Sequence, residues 1–178
     1  MIEITIPETE FFDESTSSFV MVKGYTLKLE HSLLSVSKWE SKWKKPFLTD
    51  KKKTDAEAID YIRCMTLTQG IPEEAYLAIP TSELTRIADY INDPMTATTF
   101  SDNLPRSSQI ITSELIYYNM VAAGVPFECQ KWHLNRLLTL LRICGIKSQP
   151  SKKMSVNQIR SQNAALNAAR RAKTGSRG

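Results

Sequence analysis

Ser35-x-x-Lys38, Ser101-Asp102-Asn103 and Lys173-Thr174-Gly175 occur in the order in which one class of serine acyl-transfer enzyme carries its nucleophile, proton-transfer loop and cleft-flanking strand. That chemistry needs the serine at a helix start, the lysine one turn on to take its proton, and Lys-Thr-Gly on a strand beside the cleft. Here Lys173 follows an alanine-rich, helix-favouring run where no strand is expected. Ser35, Ser37 and Lys38 are therefore read as helix-surface residues. Cys129 and His133 stand four apart, a spacing that on one helix face can hold two zinc ligands. Two ligands do not make a site, and His31 or Cys144 would have to complete it from elsewhere. The sequence predicts no metal and no cofactor, only a buried thiol and a satisfied histidine. The six glycines form neither a P-loop nor G-x-G-x-x-G, so nothing cradles a phosphate. Trp39, Trp43, Trp132, Tyr117 and Tyr118 could make a stacking platform, but their helical spacing points to core.

The elements that carry these residues predict an α+β fold: a small N-terminal antiparallel sheet of about three strands, packed on a mainly helical body, with a basic C-terminal helix or tail. Ile2 to Ile6, FVMVK and YTLKLEH alternate as strands. Three short strands need helices to cover their apolar face. Ser32 caps a helix carrying Leu33, Val36, Trp39 and Trp43, which Pro46 stops, and Lys42 to Lys53 is a basic loop. Thr54 and Glu57 have capping-box spacing ahead of a helix expected to end near Gly70. Pro72 opens a helical turn, and Thr81 or Ser82 starts a helix that Asp93-Pro94 ends. Ile110–Ala123 and Phe127–Cys144 are expected as the two longest helices and as an antiparallel pair, with Pro126 at the first helical position. Leu134 to Cys144, apolar almost all round, is expected to be the central core helix.

Charge divides the chain more sharply than hydropathy does. Up to Ile146 there are fifteen Lys and Arg against nineteen Asp and Glu, whereas from Lys147 there are eight cations and no acid, giving −4 and +8. We read residues 1–146 as one domain, strands over 1–30 and helices over 31–146, and 147–178 as a basic linker and interaction helix. The absence of an apolar run near the roughly 18 residues of a span, and the acidic start MIEITIPETE, predict a soluble intracellular protein without membrane contact. Three cysteines without a secretion signal predict reduced thiols. In the tail, Val156, Ile159, Leu166 and Ala169 form a narrow apolar stripe among Lys152, Lys153, Arg160, Arg170, Arg171, Lys173 and Arg177. Those cations could neutralise nucleic-acid phosphates, dock on an acidic protein, or keep a disordered end soluble. The stripe favours protein recognition, and we assign the partner surface to Lys152, Lys153, Ile159, Arg160, Leu166, Arg170, Arg171 and Lys173.

The segments LEHSLLSVSKWESKWKKPFL, AIDYIRCMTLTQG, NDPMTATTF, IITSELIYYNMVAAGVPFECQKWHLNRLLTLLRICGIK and QNAALNAARR resemble a family of tailed-bacteriophage proteins, tail assembly chaperones encoded near the tape-measure gene. The resemblance runs from about Glu30 to Arg171. It implies a non-enzymatic protein in the cytoplasm of the infected host that binds the long, helical, apolar tape-measure protein and leaves as the tail tube polymerises. The tail tube protein and further copies of the chain would be additional partners. Competing readings are a virion component, such as a tail or head-to-tail connector protein, and a nucleic-acid-binding accessory protein.

Overall fold

The computed structural model describes residues 1–13, 17–49, 51–100, 110–148 and 156–175. Apolar alternation in β1 (Ile2–Ile6) and β4 (Tyr25–Leu29) gives an antiparallel pair with Ile4 opposite Leu27. One face of that pair, Ile4, Ile6, Leu27 and Leu29, is buried, and Glu3 lies opposite Lys28 on the other. Between them β2 (Thr9–Asp13) and β3 (Ser18–Val22) form a second antiparallel pair. The α+β class is thus present, and among the described residues four strands form two two-stranded pairs rather than three in one sheet. Pro7, which has no N–H to give to a ladder, and Gly24 separate the two pairs. The strand Thr9–Asp13 escapes a pattern reading because its two apolar residues, Phe11 and Phe12, are adjacent between Glu10 and Asp13 and give no alternation.

Ser32 accepts a hydrogen bond from the Ser35 N–H and starts α1 (Leu33–Trp43), which Lys44 ends in the left-handed conformation. The reciprocal Thr54 and Glu57 capping box starts α2 (Asp55–Met65). This helix stops short of Gly70 because the chain turns to pair with β4: Glu30 N–H donates to the Met65 carbonyl, and Leu67 N–H to that of Lys28. On the opposite side Leu134 N–H donates to the His31 carbonyl. The segment from Lys28 to Ser32 is therefore gripped by two distant stretches of chain. Next come α3 (Glu73–Leu77), α4 (Thr81–Asn92) behind Pro80, α5 (Ser113–Ala122) capped by Thr112, a 3-10 turn (Phe127–Lys131) and α6 (Leu134–Ser148).

Two expectations for the helices need correction. Phe127–Cys144 is not one helix, because Trp132 is extended and His133 bridges to Ser32, which takes these residues out of helical bonding. Nor is α6 the central helix: it buries Leu134 and Leu137 fully, while Leu138, Leu140, Leu141 and Cys144 are half-buried. That place belongs to α1, whose Leu33, Val36 and Trp39 are buried and which packs on α2, α5 and the 3-10 turn. The expected pairing of α5 with α6 gives way to the packing of α5 on α1.

The chain divides into two compact units, Met1–Gly145 and Ile146–Gly178. The second holds α7 (Val156–Thr174), ended by Gly175 at φ 66°. Among the described residues no helix is long and apolar enough to cross a membrane, and Cys64, Cys129 and Cys144 are free thiols.

Candidate functional site

The face shared by α1 and α2 is built from two indoles fixed to α2, one by a backbone carbonyl and one by a carboxylate. The Trp39 indole N–H donates to the Glu57 carbonyl at 2.9 Å, and that of Trp43 to Asp60 Oδ2 at 2.8 Å. Lys42 closes on Asp60, and Lys45 meets Glu57 Oε1 at 2.5 Å. Hydrogen bonds from Lys45 and from the Thr54 N–H hold the Glu57 carboxyl below its ordinary range. Burial alone would raise Asp60, but bonds from Lys42 and Trp43 and nearby cations more than offset it. Glu40, also buried, accepts the Phe47 N–H with one oxygen and the Ser113 N–H with the other, each at 2.7 Å. It ties the loop after α1 to the start of α5.

Two clefts open beside this framework. The smaller, about 410 Å³, is lined by Lys38, Lys42, Arg63, Cys64 and Tyr76 among others. The larger, about 660 Å³, has Trp39 and Ile110 on its apolar side and Lys45, Lys51, Lys52 and Lys53 around it. Lys53 donates to the Phe47 carbonyl at 3.0 Å and lies 4.0 Å over the Phe47 ring, and its burial lowers its pKa. The basic loop expected over Lys42 to Lys53 begins only at Lys44, because Lys42 and Trp43 still belong to α1; that Lys45, Lys51, Lys52 and Lys53 surround a cleft depends on Trp39 and on Ile110 from a distant stretch of chain.

A second cluster lies inside, where β4 passes into α1. His31 Nδ1 is 2.5 Å from the Tyr61 hydroxyl, and the rings of His31 and His133 meet edge to face at 5.0 Å. His133 Nε2 donates to the Tyr90 carbonyl at 2.9 Å, which fixes that nitrogen as the protonated one, and the Tyr90 hydroxyl donates to Glu30 at 2.5 Å. His133 Nδ1 is then a buried acceptor without a hydrogen-bond partner, so this histidine is only half satisfied. Burial and the neighbouring His133 hold His31 down to about 3, and burial lowers His133 as well. Both rings are neutral at pH 7. Cys129 and His133 do not share a helix face, and among the described residues no three His, Cys, Asp or Glu side chains group as metal ligands.

Ser35 is buried rather than on the helix surface, and its hydroxyl donates to the Glu30 carbonyl at 2.7 Å. Lys38 is exposed, Lys173 to Gly175 is the end of α7 rather than a strand, and Ser101 to Asn103 lie outside the described residues. The aromatic set forms no common platform: Trp39 is buried, the Tyr117 hydroxyl binds Gln130, Tyr118 is exposed, and Arg136 lies 4.5 Å over Trp132.

Of the predicted partner-binding residues, Lys152 and Lys153 lie outside the described residues, whereas Ile159, Arg160, Leu166, Arg170, Arg171 and Lys173 are all on α7 and all exposed. At 100° per residue, Ile159 and Leu166 share one stripe with Arg170 and Lys173, while Arg160 and Arg171 lie about a quarter turn or more away. The cations of the last turn also suit the negative end of the helix. Ile159 and Leu166 are 44% and 50% exposed. In comparisons with family models, with curated proteins and with solved structures, nothing matched this chain.

Proposed function

We propose that this protein is a non-enzymatic tail assembly chaperone of a tailed bacteriophage, and that α7 binds the tape-measure protein and keeps it soluble until the tail tube polymerises around it. The observation that carries this reading is α7 itself. It is a nineteen-residue helix without an acidic residue, no described side chain of it is buried, and its apolar stripe runs into cations. A helix made this way gains little from its own hydrogen bonds in water and much from a complementary apolar groove with acidic margins. A nucleic-acid arm would use the cations but has no need of Ile159 and Leu166. The resemblance from Glu30 to Arg171 supplies the identity of the partner.

The test separates charge from stripe in the full chain. Replacing Arg170, Arg171 and Lys173 with Gln slows association with the tape-measure protein and flattens its salt dependence. Ile159→Ser with Leu166→Ser instead speeds dissociation, because apolar contacts govern residence more than encounter. Binding kinetics unchanged in both variants would contradict the proposal. Mass spectrometry of purified virions addresses the virion-component reading: a chaperone is absent from the particle, and a structural part abundant.

A further inference from the structure

An isolated bridge between Leu48 and Ile111 draws Ile110 against the loop after α1, where it lines the larger cleft with Pro46 and Trp39 and stays 64% exposed. The same lining holds four lysines against one acid, Glu57. Both oxygens of Glu57 are engaged, one by Lys45 and the other by the Thr54 N–H, and Lys53 donates to the Phe47 carbonyl. Lys51 and Lys52 are exposed, and among the described residues no carboxylate pairs with either. They are the cations left for an incoming acid. At about 660 Å³ the cleft lies within the roughly 300 to 1,000 Å³ of small-molecule sites, which join apolar walls to a few charged groups.

The main chain of the loop narrows the class of anion. The Phe47 N–H is taken by Glu40, the Phe47 carbonyl accepts from the Thr49 N–H as well as from Lys53, and the Lys51 N–H donates to the Thr49 hydroxyl. A peptide laid along these residues would find no strand edge on which to pair its own N–H and C=O groups. A nucleotide fits no better, because Trp39 is only 2% exposed and offers no ring face on which a base could stack. A molecule whose single polar group is its acid needs neither.

We propose that this cleft binds an amphiphilic anion, an apolar chain carrying one carboxylate, with the acid meeting Lys51 and Lys52 and the chain lying over Pro46 and Ile110. The ammonium groups select for charge, and the apolar lining rejects acids without a body to bury. The inference goes beyond the reading of α7 and uses none of its residues.

Calorimetric titration of the full chain with decanoate, below the concentration at which it forms micelles, tests it. One decanoate per chain is expected, with an affinity that falls as ionic strength rises. Acetate, the acid without the chain, and decanol, the chain without the acid, each bind more weakly by roughly tenfold or more. Lys51→Gln with Lys52→Gln weakens decanoate by roughly tenfold or more, and Lys51→Arg with Lys52→Arg retains it. Ile110→Ser weakens it while leaving the salt dependence in place. These side chains are exposed, so the melting curves of the variants stay unchanged and a lost affinity is not a lost fold.

No binding of decanoate, binding that decanol matches, or binding that the glutamine pair leaves intact would overturn the proposal. Helix α7 also joins cations to an apolar stripe, so the Ile159→Ser, Leu166→Ser variant controls for place: decanoate binds it unchanged, and loss of binding there would overturn the assignment to the cleft. Binding of an acidic, leucine-containing pentapeptide or of single-stranded DNA instead of decanoate, abolished by the glutamine pair, would overturn it in favour of a protein-docking or a nucleic-acid cleft.

Discussion

Helices α1 and α7 are made by different means. In α1, eleven residues bury Leu33, Ser35, Val36, Trp39 and Glu40, and two indole N–H groups fasten it to α2. In α7, nineteen residues bury none of the side chains described and carry charge of one sign. The first is held by packing that overrides the modest helix propensity of its serines and tryptophans. The second, among its described residues, buries no side chain and draws on the helix propensity of Ala, Gln, Arg and Leu. A helix without a buried side chain is free to take its packing from another molecule, which is the sense in which we propose α7 as a recognition element.

The contrast is sharpest in cavities. Leu137→Ala removes a fully buried side chain and should cost about 2 to 5 kcal/mol, while Leu141→Ala, half-buried on the same helix, should cost clearly less. Thermal melts rank them, and equal losses would mean that α6 is buried more deeply than its exposure says. Glu40→Ala breaks the body differently. It leaves the Phe47 and Ser113 N–H groups buried without an acceptor, an expected loss of about 2 to 4 kcal/mol, with Glu40→Gln losing less because one acceptor remains.

Acid separates the two units next. His31 and His133 have folded-state pKa values below their unfolded ones, so the unfolded chain binds more protons as pH falls below about 6.5. The stability they contribute is complete above that pH and is lost progressively towards the folded value of about 3. At pH 5 the loss from His31 should be about 2 kcal/mol, with His133 adding in the same direction. Below about pH 4 protonation of Glu57 and Asp60 adds to it. The described residues of α7 include no acid and no histidine, so its helicity by circular dichroism should not follow this transition.

What a pattern reading could and could not find follows the same division. Caps were legible because they are local: Ser32, the Thr54 and Glu57 box, and the stop before Pro46 all sit where their residue types imply. So was the one-signed charge of α7. The break between the 3-10 turn and α6 was not, because its cause is the His31 carbonyl about a hundred residues away. The histidine pair was hidden for the same reason. His133 was weighed with Cys129, its neighbour in sequence, whereas its neighbours in space are His31 and Tyr90. The lysine cleft was half visible: its cations come from one short stretch, Lys45 to Lys53, but its apolar side is assembled from α1 and the approach to α5.

The smallest expected effect on stability is in α7. Leu166→Ala should shift the melt of the chain by less than about 0.5 kcal/mol, as for other exposed sites. The most direct test of the role given to α7 is therefore a variant that leaves the fold alone. Co-expressing the tape-measure protein with the full chain, and separately with the Ile159→Ser, Leu166→Ser variant, and measuring the soluble fraction gives the answer. The prediction is soluble tape-measure protein with the wild type and its loss to the pellet with a variant whose melting curve is unchanged. Full solubilisation by that variant would contradict the account and move the chaperone surface to the body.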